Sequence, residues 1–350
     1  MKTIALVGAS GVVGRCFEEL FRESDLCAQG WELLKVARRA RPDENIYPIE
    51  DSRSQLAEAR YIVNASESHV AKELFKNLTS GQVLIDNSSA FRMDSGVPLV
   101  VPEINASKIR GSQVVANPNC TTILLTLCLK ALSPWGVKRV FVSTYQAASG
   151  AGIAGLNELK DQWGQLAQAG EVKSSTSNSG SNSGPSSGDS SEYPVFGYPL
   201  ANNVISHNSD LEAENSPFAF YNGEERKVME ESRKILENND LAISATCMRV
   251  PVERAHLEAV QVDLGGEASF DEIQKSFQDQ SGLKWCNDLE TNCFPMPILA
   301  SGKKEVFVGR LRKDPSTPNS WSFILAGDQL LKGAAWNAFQ ILEHSIRETH

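Results

Sequence analysis

The sequence predicts an α/β fold in two parts, a doubly wound parallel sheet followed by a mixed sheet with helices packed on it. Three observations predict it. Short apolar runs near the N-terminus alternate with helical stretches. A glycine-rich turn joins the first run to the first helix. Beyond position 120 the strands lengthen and fill with β-branched and aromatic residues.

Residues 4–7 form an apolar run closed by Gly8, and 11–21 offers Val12, Val13, Cys16, Leu20 and Phe21 to one buried helical face. Residues 31–37, 61–65, 83–86 and 114–116 read as further short buried strands, with a helix over 70–78. A helix over 121–132 ends before Pro134, a strand follows over 139–145, and a helix over 156–168. Strands are expected at 243–250, 257–264, 305–311 and 321–325, and an amphipathic helix over 329–346 closes the chain. The expected domains are 1–120, completed by 327–350, and 121–326. Residues 174–191 are dominated by Ser, Asn and Gly and bury too little to offset their ordering entropy, so a mobile insertion in the second domain is expected there.

A chain of 350 residues is long enough for two domains. Its formal charge of -9 gives no electrostatic help toward nucleic acid or anionic lipid. No apolar stretch approaches the roughly 20 residues of a membrane span, and no small-residue cleavage site marks a signal peptide. The 7 cysteines are scattered without a C-x-x-C pair, which argues against a disulfide framework or a zinc site. Reduced thiols in the cytoplasm and no metal are the expectation.

Gly8-Ala9-Ser10-Gly11-Val12-Val13-Gly14 joins strand to helix, where backbone N–H groups and a helix N-terminus hold a pyrophosphate. The G-x-x-G-x-x-G spacing departs from the usual dinucleotide fingerprint, and a tight structural turn is the alternative. The second strand ends Val36-Ala37-Arg38-Arg39. Two guanidiniums and no carboxylate suit a ribose 2′-phosphate, so NADP is expected over NAD; a solvated basic turn is the alternative.

Asn117-Pro118-Asn119-Cys120-Thr121-Thr122 stands where the first part ends and a helix begins. A thiol at a helix N-terminus gains thiolate character, and the same N–H groups can hold an oxyanion. A structural buried cysteine is the alternative. Of the histidines, His344 and His350 lie at the C-terminal end, His69 begins a helix, and His207 lies in neither a strand nor a helix. His256 lies between two expected strands, placed to reach the domain junction as a base; a structural role is the alternative.

Several motifs occur together and in order: Asn117-Pro-Asn-Cys120-Thr, Tyr145-Gln146-Ala-Ala-Ser149-Gly150-Ala-Gly152, Glu224-Glu-Arg-Lys227, Arg249-Val-Pro-Val-Glu-Arg-Ala-His256 and Lys332-Gly-Ala-Ala-Trp-Asn-Ala338. In these the chain resembles the aspartate-semialdehyde dehydrogenases over almost its whole length. The resemblance implies a Rossmann-type cofactor domain, a catalytic and dimerisation domain, and a homodimer. It implies that Cys120 is the acyl-thioester nucleophile, Gln146 positions the substrate, Arg249 binds its carboxylate and His256 is the acid/base. Glu224 would lie near the substrate amino group. Arg92, Lys227 and Asn119 would form the phosphate site. Ser149, Gly150 and Gln329 would lie against the cofactor. The implied reaction interconverts L-aspartate 4-semialdehyde, phosphate and NADP⁺ with 4-phospho-L-aspartate and NADPH, toward lysine, methionine and threonine. Three features depart from the family pattern: Gln329 where Asn is common, no serine beside Arg38-Arg39, and the Ser-rich insertion. The rival readings are an N-acetyl-glutamyl-phosphate reductase-like enzyme and a non-catalytic homologue acting as a binding protein.

Overall fold

The computed structural model describes residues 2–168 and 193–348; the stretch at 174–191 and His350 lie outside the described residues. The first sheet holds β1 (Thr3–Val7), β2 (Glu32–Ala37), β3 (Tyr47–Pro48), β4 (Tyr61–Asn64), β5 (Val83–Asp86) and β6 (Val114–Ala116). All are parallel, in the order β3-β2-β1-β4-β5-β6. Ile4, Ala5, Leu6 and Val7 are all buried, because helices cover both faces of such a sheet. Helix α1 (Val12–Glu23) follows β1, and α2 (Ser68–Lys76) follows β4. The strand order reverses between β1 and β4, so a switch point opens at their C-terminal ends, at Gly8 and Ala65.

The second sheet holds β7 (Val137–Gln146), β8 (Ala242–Arg249), β9 (His256–Leu264), β10 (Leu283–Trp285), β11 (Val306–Lys313) and β12 (Ser320–Gly327), in the order β10-β11-β12-β9-β7-β8. The β7–β8 and β10–β11 pairs are parallel and the others antiparallel. Burial alternates residue by residue along β9, as a sheet with one covered face requires. The cover is α3 (Cys120–Ala131), apolar on almost every side and packed with Val140, Val260 and Phe323. Two further helices lie on this half, α5 (Gly223–Leu236) and α6 (Phe270–Asp279), beside α4 (Gly152–Gln168).

The expected C-terminal helix divides in two. Leu331–Ala335 is a π-turn and α7 (Trp336–Arg347) is regular. The wide turn brings Gly333 against the start of α3, while Phe339, Ile341 and Leu342 return to the first sheet's core beside Ile4 and Phe17. Asp328, fully buried, accepts from the Leu330 and Leu331 N–H groups and caps this segment.

Lys332, within the π-turn, is 0% exposed. Its ammonium donates to both Glu103 oxygens (2.8 and 2.7 Å), to Asn337 Oδ1 (2.9 Å) and to Gln340 Oε1 (2.8 Å). Burial pushes Glu103 up, but the ammonium outweighs it and holds the carboxyl below its usual range. Lys332→Met leaves that carboxylate buried without its cation and should cost about 3–5 kcal/mol. Denaturant unfolding checks this. Lys332→Met combined with Glu103→Leu should recover most of the loss, whereas equal losses in the single and double variants would show that the pair is not the source.

Candidate active site

Four strand ends of the second sheet converge. β7 ends at Gln146, which stands opposite Arg249, the last residue of the parallel neighbour β8. β9 runs the other way and begins at His256, opposite Gly327, where β12 ends. Gln146, Arg249, His256 and the Asp328-Gln329 pair therefore line one edge of the sheet. Cys120 reaches that edge as the first residue of α3, capped by the Asn119 side chain, which accepts from the Thr122 N–H and the Thr121 hydroxyl.

Two glycines have no room for a side chain here. A Cβ on Gly333 would lie 2.7 Å from Cys120 Cβ, and one on Gly150 would lie 3.0 Å from Arg249 Nη1 and 3.4 Å from His256 Nε2. Arg249 is fixed by donating to Ala147 O (2.7 Å). Gln146 donates to Thr144 Oγ1 (3.2 Å).

His256 is fully buried, and its Nδ1 accepts the Ala147 N–H at 3.0 Å. The neutral ring then carries its proton on Nε2, which has no partner among the described residues. Burial and the nearby Arg249 push the imidazole down to about 3. The resting ring thus presents an N–H donor. The base expected from the sequence needs the other tautomer, in which the Ala147 hydrogen bond is lost.

The Cys120 thiol also differs from expectation. Burial, then the Glu224 carboxylate, push it up to about 12, and these outweigh the Thr121 N–H and the Arg92 guanidinium. The helix terminus alone does not make a resting thiolate.

The charged residues are paired with one another. Lys227 Nζ lies 2.6 Å from Glu224 Oε1, and Glu224 Oε2 accepts from Asn119 Nδ2 at 2.8 Å. Arg92 donates to Glu231 Oε1 (3.1 Å) and Asn87 O (2.8 Å), while its buried Nε has no partner among the described residues. Glu231 Oε2 also accepts the Asn119 N–H at 2.6 Å. Sequence reasoning missed Glu231. The Asn222–Glu225 capping box that starts its helix was the available signal, and the helical spacing places Glu231 on the face of Glu224 and Lys227.

The cofactor residues fall into two groups. A Cβ on Gly8 would meet Ala65 O at 2.5 Å, and one on Gly14 would meet Gly8 O at 2.4 Å. The protein's own backbone requires both. A Cβ on Gly11 has only Gly8 O nearby, at 3.3 Å, and no side chain caps the helix there. That leaves the N-terminus of α1, with Ser10, Val12 and Val13, open to a phosphate, and the loop fits a dinucleotide. Arg38 and Arg39 are exposed at the end of β2, with Arg38 paired to Glu67 at 3.2 Å. Gln329 is engaged internally, donating to Ser149 Oγ (2.6 Å) and accepting from Ala255 N (2.8 Å). Its amide braces the turn before His256, so the expected contact with the cofactor would have to share it. A surface cleft of about 640 Å³ lined by Ile49, Arg53 and Glu73 includes none of these residues in its wall. The chemistry, rather than the void, marks the site.

Comparison with known proteins places the chain in a family. Residues 3–112 match the semialdehyde dehydrogenase NAD binding domain, and residues 129–332 the semialdehyde dehydrogenase dimerisation domain. Aspartate-semialdehyde dehydrogenase from Prochlorococcus marinus is 38% identical over 97% of this chain and 95% of its own. The chain belongs to the aspartate-semialdehyde dehydrogenase family. The Synechocystis member is 37% identical over 97% of this chain and 96% of its own. The crystal structure of aspartate semialdehyde dehydrogenase II complexed with ASA from Vibrio cholerae superposes with a TM-score of 0.82 at 28% identity, covering 99% of this chain and 98% of that one. The family's domains make this chain a semialdehyde dehydrogenase oxidoreductase whose first sheet binds a nicotinamide cofactor. Among the described residues no helix is long and apolar enough to cross a membrane, and no cluster of three or more His, Cys, Asp or Glu could hold a metal.

Glu224→Gln tests the electrostatics of the thiol. Removing a negative charge that raises the thiol should increase the thiolate fraction about tenfold for each unit the pKa falls, and speed alkylation of Cys120 by iodoacetamide by about threefold per unit, since a less basic thiolate is a weaker nucleophile. The rate is read at Cys120 by peptide mass in the substrate-free protein at pH 8. An unchanged or slower rate would show that the carboxylate does not act on the sulfur.

Proposed function

We propose that this chain reduces 4-phospho-L-aspartate to L-aspartate 4-semialdehyde and phosphate, reversibly and with NADPH, as a cytoplasmic homodimer serving lysine, methionine and threonine synthesis. The observation that carries the reading is the convergence of Cys120, Gln146, Arg249 and His256 on one sheet edge. Arg249 holds the substrate carboxylate through a planar two-point contact, and Glu224 takes the α-ammonium. Arg92, Lys227 and Asn119 receive the phosphoryl group. The Cys120 sulfur attacks the acyl phosphate carbon, the C–O bond to phosphate breaks, the thiol proton leaves on the departing hydrogen phosphate, and a thioester forms. His256 donates from Nε2 to the carbonyl oxygen as charge builds there, and Gln146 orients the same group. The nicotinamide cofactor supplies the hydride that reduces the thioester. Dimerisation runs through the second sheet's domain, 121–326, and the C-terminal residues 327–350 complete the cofactor domain begun by 1–120. A free ammonium suits Glu224, which disfavours an N-acylated glutamyl substrate. Retention of the whole reactive set disfavours a binding protein without activity.

Purified protein should reduce NADP⁺ when given L-aspartate 4-semialdehyde and phosphate together, followed by NADPH absorbance. Cys120→Ser should lower turnover by about 10³-fold or more with the fold intact. Turnover surviving in that variant, or an acyl adduct on another cysteine, would refute the assignment.

Cofactor choice rests on Arg38 and Arg39. Each charge-assisted bond to a 2′-phosphate is worth about 1.5–3 kcal/mol, so replacing both arginines by Ala should weaken NADPH binding at least ~10-fold and leave NADH nearly unchanged. Fluorescence titration with both cofactors measures this. Equal losses would mean that the pair does not read the phosphate.

A further inference from the structure

Away from the reactive groups, two free cysteines share one loop. Cys286 follows β10, and its N–H donates to Val308 O on β11 at 2.9 Å. Asp288 and Cys293 exchange both backbone hydrogen bonds at 3.0 Å, which closes the loop as an antiparallel pair. The Asp288 carboxylate ties its tip, accepting from the Glu290 and Thr291 N–H groups and the Thr291 hydroxyl. Side chains two positions apart on a strand share a face, so Cys286 is the diagonal neighbour of Cys293. The Cys286 thiol donates to Cys293 O across 3.9 Å, and the Cys293 thiol lies close enough to help raise it. Both residues are half-buried, within reach of a small reagent. Cys286 has little freedom to move away, because its carbonyl would stand 1.9 Å from a Cβ on Gly309 and fits only against that glycine.

We infer that Cys286 and Cys293 form a thiol–disulfide site whose oxidant is a low-molecular-weight disulfide. The Cys293 thiolate attacks the reagent, forms a mixed disulfide and releases one small thiol. The Cys286 thiol then loses its proton, its sulfur displaces the second small thiol, and the intramolecular bond forms. Two electrons and two protons leave the pair, and the reagent's disulfide is reduced to two thiols. Burial and the neighbouring Cys293 thiol push the Cys286 thiol up to about 11, which leaves the first attack to Cys293 and makes the Cys286 sulfur a poor leaving group once the bond has formed. The loop is already closed by backbone bonds, so little chain entropy opposes the second step, and the internal bond outcompetes a lasting adduct. Cys286 packs in the small apolar cluster of Ala255, Leu257 and Phe307. The bond would therefore staple the surface that backs the His256 turn.

The test incubates the full chain in glutathione–glutathione disulfide buffers, quenches with acid and N-ethylmaleimide, and maps the peptides by mass. The wild type should yield a peptide joining Cys286 to Cys293, reversed by dithiothreitol. Cys286→Ser and Cys293→Ser should each lose that peptide, the remaining cysteine carrying glutathione instead. Stable glutathione adducts on both cysteines of the wild type, or a bond formed only between other cysteines, would overturn the inference.

Discussion

A buried ammonium has to find its partners inside the protein, and Lys332 finds them in two distant parts of the chain. Taking such a charge out of water costs several kcal/mol unless every donor is matched. Glu103 lies 229 positions away, on a short helix leading into β6, and supplies both of its oxygens. The π-turn is thereby pinned to the first half of the molecule. Once it is there, Asn337 bonds Val100 O and Asn117 Oδ1, at 2.9 and 2.7 Å. Asn117 opens the turn that ends in Cys120. The residue after Lys332 is Gly333, which rests on Cys120 itself. The position of Cys120 is therefore set from the C-terminal end of the chain as much as from its own helix.

The same economy governs the charges around the thiol. Arg92 answers Glu231 and Lys227 answers Glu224, so the cations are held ready without being free. A ligand carrying the phosphoryl group, carboxylate and ammonium of the proposed substrate would exchange partners with this set. An ammonium arriving at Glu224 would take the place of Lys227, so the carboxylate that helps burial hold the sulfur protonated would stay paired throughout.

Much of this was legible in the sequence. The apolar runs at 4–7 and 83–86 became β1 and β5, because a parallel sheet buried on both faces leaves no other pattern. β3 and β10 are two and three residues long, too short for any periodicity. Helices α5 and α6 escaped for another reason. Their polar faces dominate their composition, and only their capping boxes announce them. Cys120, Gln146, Arg249 and His256 could be named because they sit in distinctive strings. Glu231 could not, since a glutamate within a polar helix looks like solvent-facing surface until the fold buries it against Arg92. The protonation of Cys120 was legible only in part. A helix terminus favours thiolate, but the sequence does not show that Glu224 and the closed surroundings act against it more strongly.

Strand β9 carries two titratable groups on one face, two residues apart and both fully buried. His256 is kept neutral from above, pushed down by burial and by Arg249. Glu258 is kept neutral from below, since burial raises its carboxyl well above the usual range and neither oxygen has a partner among the described residues. A carboxylate at Glu258 would raise Cys120, Cys128 and Cys247 alike, all of which feel its field. As a neutral acid it exerts no such pull. The charges that remain near the sulfur are then those of Arg249 and of the Arg92–Glu231 and Lys227–Glu224 pairs. With His256 and Glu258 neutral, neither brings a charge to the sulfur, and the ion-paired Glu224 and Arg92 act on it directly.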